Sequence, residues 1–145
     1  MKQILIIDTN MSNRLILSQI LEKAGYFVVG KSKGENGIDY YRNNPIDLVI
    51  ADIFLPELEG FKTIIQLKKE FPRARIIAKT ESQTDIGFKK YNPLQSAKLF
   101  GALRTFSSPI NINELLMVIK ELTSYETRHL RRNIRYMKFS VRKKP

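Results

Sequence analysis

At 145 residues, with 43% hydrophobic and 27% charged residues, the chain has the length and composition of one globular domain with a real core. No stretch approaches the roughly 18 apolar residues that a membrane span needs, and MKQILIIDTN reaches Asp8 so soon that it reads as a strand and no signal peptide. The absence of Cys excludes disulfides, thiolate nucleophiles and cysteine zinc sites, and the lone His129 excludes clustered histidine ligands, so the expected setting is cytoplasmic.

The net charge of +11 is unevenly placed. Residues 124–145 carry eight bases against one acid, Glu126. Such asymmetry points to a polyanionic partner or to a solubilising extension. The expected division is a domain over residues 1–123 and a basic extension over 124–145.

In chain order, Gln3–Asp8 (QILIID) predicts the first strand. Leu17, Ile20, Leu21 and Ala24 then fall on one helical face, closed by Gly25 as a C′ residue. Phe27–Gly30 predicts a second strand, and a shorter helix around Ile38–Tyr41 stops at Asn43-Asn44-Pro45. Asp47–Asp52 (DLVIAD) predicts a third strand; Leu58, Phe61, Ile64, Ile65 and Phe71 form the next helical stripe, stopped by Pro72. Arg75–Thr80 (RIIAKT) predicts a fourth strand. The polar stretch from Glu81 to Phe100 reads as a loop with a short helix near Gln95–Phe100. Leu103–Phe106 predicts a fifth strand, and Ile112, Leu115, Leu116, Ile119 and Leu122 a last helix, with Asn111 and Glu114 placed as in a capping box. The first, third and fourth strands are almost continuously apolar, as parallel strands covered on both faces are. Strand–helix alternation with short links implies βαβ units, a parallel sheet and right-handed crossovers.

Ligands of an open parallel sheet bind beyond the carboxyl ends of its strands. Asp8 ends the first strand, Asp52 the third and Thr80 the fourth, while Ser108-Pro109 follows the fifth. Two carboxylates and two hydroxyls at one edge suit a hard cation and a phosphoryl group.

Four segments carry a resemblance: ILIIDTNMSNR, DLVIADIFLPELEGF, RIIAKT and GALRTFSSPININEL. In order and at near-standard spacing, they resemble the response-regulator receiver domains of two-component signalling. The resemblance implies a flavodoxin-like, doubly wound α/β fold with a five-stranded parallel sheet in the order 2-1-3-4-5. It implies that Asp52 accepts a phosphoryl group from a histidine kinase. Asp8, Asp52 and the backbone carbonyl of Phe54 would hold Mg²⁺, and the Thr80 hydroxyl would bond the phosphoryl group.

Several positions depart from the family pattern. Thr9 stands where the family has a second acid, which weakens a Mg²⁺ site without abolishing it. Ser108 stands where the family has a lysine before Pro109, and a hydroxyl brings no positive charge. Lys79 is near in sequence, but alternation sends it to the face opposite Thr80, which argues against its replacing that lysine. The family's aromatic switch position falls at Thr105, Glu81 puts an acid beside the pocket, and the interval from Thr80 to Gly101 is several residues longer than usual.

Two readings of the domain follow. In one, Asp52 is still phosphorylated and relays signals through protein–protein contacts. In the other, a pseudo-receiver serves as a phosphate-independent docking module, and the loss of a cation tilts the balance that way. A hydrolase or transferase fits least, since Cys, a second His and a Gly-rich phosphate loop are all absent. In the tail, Leu130, Ile134, Met137 and Val141 would form a helical stripe flanked by Arg128, Arg131, Arg132, Arg135, Lys138 and Arg142, while the alternation of Met137, Phe139 and Val141 fits a strand as well. A solvated extension, a dimerising helix and a nucleic-acid contact through those bases all remain open. Expected partners are a histidine kinase or other signalling protein, a second copy of the chain, or nucleic acid; a membrane is not expected.

Overall fold

The computed structural model of the chain describes residues 1–53, 59–81 and 93–124. Strands and helices alternate throughout: β1 (Gln3–Ile7), α1 (Met11–Lys23), β2 (Phe27–Lys31), α2 (Gly34–Asn43), β3 (Leu48–Asp52), α3 (Glu59–Glu70), β4 (Ile76–Thr80), α4 (Pro93–Phe100), β5 (Arg104–Ser107) and α5 (Ile112–Leu122). All pairings are parallel, in the spatial order β2-β1-β3-β4-β5. This is the expected sheet, and strand bounds differ from the sequence reading by about one residue.

Burial explains the hydropathy of each strand. Every residue of β3 and β4 is buried, whereas the edge strands β2 and β5 are largely half-buried or exposed. Alternation then divides the core in two. Ile4, Ile6, Leu48, Ile50, Ile77 and Phe106 pack with Leu17 and Leu21 of α1 and Leu115, Ile119 and Leu122 of α5. Leu5, Ile7, Val49, Ala51, Ile76 and Ala78 pack on the other face with residues of α2, α3 and α4. A fully buried Ile or Leu contributes about 1.5–3 kcal/mol by leaving water, so these two layers are what holds the strand ends in register.

The helix boundaries follow their caps. Asn10 accepts the Asn13 N–H at 3.0 Å and opens α1. Gly25, at φ +96°, takes the left-handed position past its end, as the sequence suggested. Asn111 accepts the Glu114 N–H at 3.1 Å and opens α5. The short helix anticipated at Gln95–Phe100 starts two residues earlier, on Pro93, which has no N–H to lose in a first turn. Two stripe residues were misplaced. Ala24 is the exposed C-cap residue of α1. Ile65 is 42% exposed, because the face of α3 toward the sheet runs through Phe61, Ile64 and Leu67. Thr63 is buried on that same helix with its hydroxyl donating to the Glu59 carbonyl at 2.8 Å.

Gly60 sets how closely α3 approaches β3. A Cβ there would stand 2.4 Å from the Ile53 Cα and 2.7 Å from the Asp52 carbonyl oxygen, both backbone atoms that cannot rotate away. Gly60→Ala is therefore expected to destabilise the fold by about 2 kcal/mol, the scale of forced overpacking. Urea unfolding checks it, and the amide signals of Asp52 and Ile53 should shift most.

Candidate functional site

The carboxyl ends of β1, β3 and β4 meet at one rim. Asp8 directly follows β1, Asp52 is the last residue of β3, and Glu81 directly follows β4. One carboxylate oxygen from each lies within 4.8 Å of the others. Asp8 is fully buried and Asp52 is 3% exposed. The two carboxylates expected to converge do so, and the acid suspected beside the pocket, Glu81, is a member of the group. Thr9, at the position of the missing acid, is exposed.

Asp8 is held on all sides. Its Oδ1 accepts the Asn10 N–H at 2.9 Å, and its Oδ2 accepts the Lys79 Nζ at 2.5 Å. Its carbonyl accepts Arg14 Nη1 at 2.7 Å, which ties the start of α1 to the rim. Lys79 Nζ also donates to Glu81 Oε1 at 3.0 Å, and the Ser108 hydroxyl makes a longer contact of 3.4 Å to Glu81 Oε2. A chain of polar contacts thus runs Ser108–Glu81–Lys79–Asp8 across the top of β5, β4 and β1.

Lys79 corrects the sequence reading. Alternation does set it opposite Thr80, but Thr80 was the wrong reference. Asp8 follows Ile6, Asp52 follows Ile50 and Lys79 follows Ile77 two residues on, and those three isoleucines share the face covered by α1 and α5. Asp8, Asp52 and Lys79 therefore share one face, and Asp52 is the direct register partner of Lys79. The signal was present in the parity of the strands.

The Lys79 side chain is only 3% exposed. Burial by itself pushes its pKa down; the hydrogen bond to Asp8, the charges of Asp8 and Asp52, and the bond to Glu81 outweigh that and leave it above the ordinary lysine range. The ammonium is therefore charged at any physiological pH.

The other anticipated residues are placed as follows. Thr80 ends β4, is 4% exposed, and by alternation lies on the face of Ile76 and Ala78; its carbonyl accepts the Ser108 N–H at 2.9 Å. Ser108 precedes Pro109 through a cis peptide bond just after β5. Phe106 packs into the α1–α5 layer, which leaves Thr105 on the opposite face. Phe54 and the basic residues Arg128, Arg131, Arg132, Arg135, Lys138 and Arg142 lie outside the described residues.

The family model of the response regulator receiver domain matches residues 4–120. This chain belongs to that family. Sporulation initiation phosphotransferase F of Bacillus subtilis is 26% identical over 120 residues, covering 83% of this chain and 92% of that protein. Chemotaxis protein CheY of Thermotoga maritima is 36% identical over 77 residues, 52% of this chain and 64% of that one. Against the response regulator GtcR of Aneurinibacillus migulanus, 31% identical, the match covers 71% of this chain and 48% of that protein. A CheY-like receiver domain protein from Methanospirillum hungatei superimposes with a TM-score of 0.75 at 27% identity, over 89% of this chain and 98% of that structure.

As a receiver domain, the chain is a module of two-component phosphorelay signalling. Receiver domains bind Mg²⁺ at an acidic pocket, and Asp8, Asp52 and Glu81 offer the hard oxygen donors that this ion prefers. Among the described residues, no helix is long and apolar enough to cross a membrane.

The buried pair has a consequence for stability. Removing one partner strands the other charge, whereas removing both is far less costly. Lys79→Met is expected to destabilise the domain by about 3 kcal/mol in Mg²⁺-free buffer. The double variant Asp8→Asn, Lys79→Met should recover much of that loss. Chemical denaturation of the four proteins of the cycle measures both quantities.

Proposed function

We propose that the chain is a phosphorylatable receiver that takes a phosphoryl group on Asp52 from a histidine kinase and passes the signal on through protein–protein contacts. The observation that carries this reading is the convergence of Asp8, Asp52 and Glu81 at the strand rim with a buried, charged Lys79 among them. An Asp52 carboxylate oxygen forms the new bond to phosphorus as the N–P bond of the donor phosphohistidine breaks. The bonding pair returns to the imidazole nitrogen, so nothing further need be consumed. In this reading the domain is a signalling module that is itself modified.

Each neighbour has a role that its position supports. Asp8, fixed by the Asn10 N–H and Lys79, would hold Mg²⁺ together with Asp52 and the Phe54 carbonyl, and Glu81 supplies a carboxylate that Thr9 does not. When bound, that ion neutralises phosphoryl oxygens as charge shifts during transfer. Thr80 at the end of β4 is the candidate hydroxyl for a phosphoryl oxygen by its place in the family pattern, although alternation sets it on the sheet face opposite Asp52, while Ser108 and Pro109 follow β5. A phosphate-independent docking module draws support from the missing cation at Ser108, from Thr9 and from Thr105; Lys79 weakens the first of these and leaves the other two standing.

The second reading concerns the extension over residues 124–145 beyond the receiver domain of 1–123. Arg128, Arg131, Arg132, Arg135, Lys138 and Arg142 favour a polyanion, and phosphate contacts of that kind weaken steeply with salt. It coexists with phosphorylation, because the tail lies outside the family match.

Acetyl phosphate with Mg²⁺ tests the main reading. Intact-mass spectrometry should show one phosphoryl group per chain, its incorporation lost in Asp52→Asn and slowed at least about tenfold when EDTA removes the metal. Incorporation unchanged by Asp52→Asn would overturn it.

A further inference from the structure

The phosphoryl group that this reading puts on Asp52 brings negative charge to a rim that already holds three carboxylates, and a nearby cation offsets such charge most directly. Lys79 is the cation that the fold delivers there. It is the register partner of Asp52 on the adjacent strand and shares the sheet face of Asp8 and Asp52. It is buried, and its ammonium is positioned by Asp8 and Glu81. An ammonium has three N–H donors; among the described residues Asp8 and Glu81 engage two.

Position 108 lies on the same side of the sheet. Phe106 packs in the α1–α5 layer and is the register partner of Lys79, and Ser108 follows it by two residues. A side chain at 108 and one at 79 therefore approach the rim from neighbouring strands on a common face. Ser108 in fact reaches the same Glu81 that Lys79 binds, at 3.4 Å and 3.0 Å respectively. Glu81, by holding the ammonium between strands, is a positioning residue.

We infer that Lys79, from within β4, is the residue that binds the phosphoryl group carried by Asp52, with Glu81 holding it in place, so that Ser108 need carry no charge. The inference rests on Asp52 being the acceptor, and the two can fail separately. If it is right, the charge belongs to the rim and not to one position, so moving it to 108 must restore what its removal from 79 destroys.

The test uses beryllofluoride with saturating Mg²⁺ as a phosphoryl analogue, with affinity read from amide and ¹⁹F NMR on the full chain. Lys79→Met should bind the analogue at least about tenfold more weakly, the loss of one charge-assisted hydrogen bond. Lys79→Met combined with Ser108→Lys should regain most of that affinity, a rescue that a purely structural role for Lys79 would not produce. Should the Met variant fail to fold, Lys79→Gln, which removes the charge but keeps a polar donor end, carries the same comparison with its own Ser108→Lys partner. A folded single variant that binds as tightly as the wild type, or a folded double variant as weak as the single, overturns the role of Lys79 alone. A wild type that never takes the analogue overturns the Asp52 reading, and this inference with it.

Discussion

A buried carboxylate needs a cation or a set of hydrogen-bond donors, and the rim of this sheet buries two, Asp8 and Asp52, with Glu81 alongside. Desolvating that much like charge would cost several kcal/mol per ion without compensation. The Lys79–Asp8 pair at 2.5 Å is the compensation. It fixes the orientation of Asp8, and with the Lys79–Glu81 and Glu81–Ser108 contacts it links β1, β4 and the turn after β5. Because neither Lys79 nor Asp8 is surface-exposed, solvent and salt screen their attraction far less than they do an exposed ion pair such as Arg42–Glu70.

The sheet and its two-layered core follow from patterns that a sequence displays openly. Continuous apolar runs gave the covered strands, and spacings of three and four gave the helical faces. Cap residues such as Gly25 and Asn111 sit where their chemistry requires. The small misplacements have one cause: periodicity marks a stripe but not its exact centre. On α3 the sheet-facing side runs through Phe61, Ile64 and Leu67, which leaves Ile65 turned toward solvent. Asp8, Asp52 and Thr80 were legible because each ends a strand, and parallel strands present their last residues at one edge.

Lys79 was harder to place for a physical reason. A lysine in a buried strand looks like an error in the pattern, and the usual escape is to turn it away from the site. Its destination depends on which face carries the acids, and that depends on parity shared among three strands distant in sequence. Parallel pairing of Asp52 with Lys79 settles the matter, and register is a tertiary fact that local hydropathy does not contain. Glu81 illustrates the converse. Its charge was visible in the sequence, but as a liability beside the pocket; only the ammonium at 3.0 Å turns it into a partner.

Placing the cation on a strand changes what can move. Ser108 lies just past β5, before a proline, where its N–H donates a ladder-like bond to the Thr80 carbonyl. Lys79 is pinned between β3 and β5 by backbone pairing on both sides. Its Cα therefore stays put, and only the flexible stem can follow a change in charge at Asp52. Any such change is felt first at the other two groups the ammonium binds, Asp8 and Glu81. Asp8 is locked by the Asn10 N–H and by its burial, whereas Glu81 is 36% exposed and opens the segment between β4 and α4. Were Asp52 to take a phosphoryl group as proposed, the new charge would act on the β4 exit through Lys79 and Glu81, and on the β5 exit through Glu81–Ser108 and the Thr80–Ser108 backbone bond.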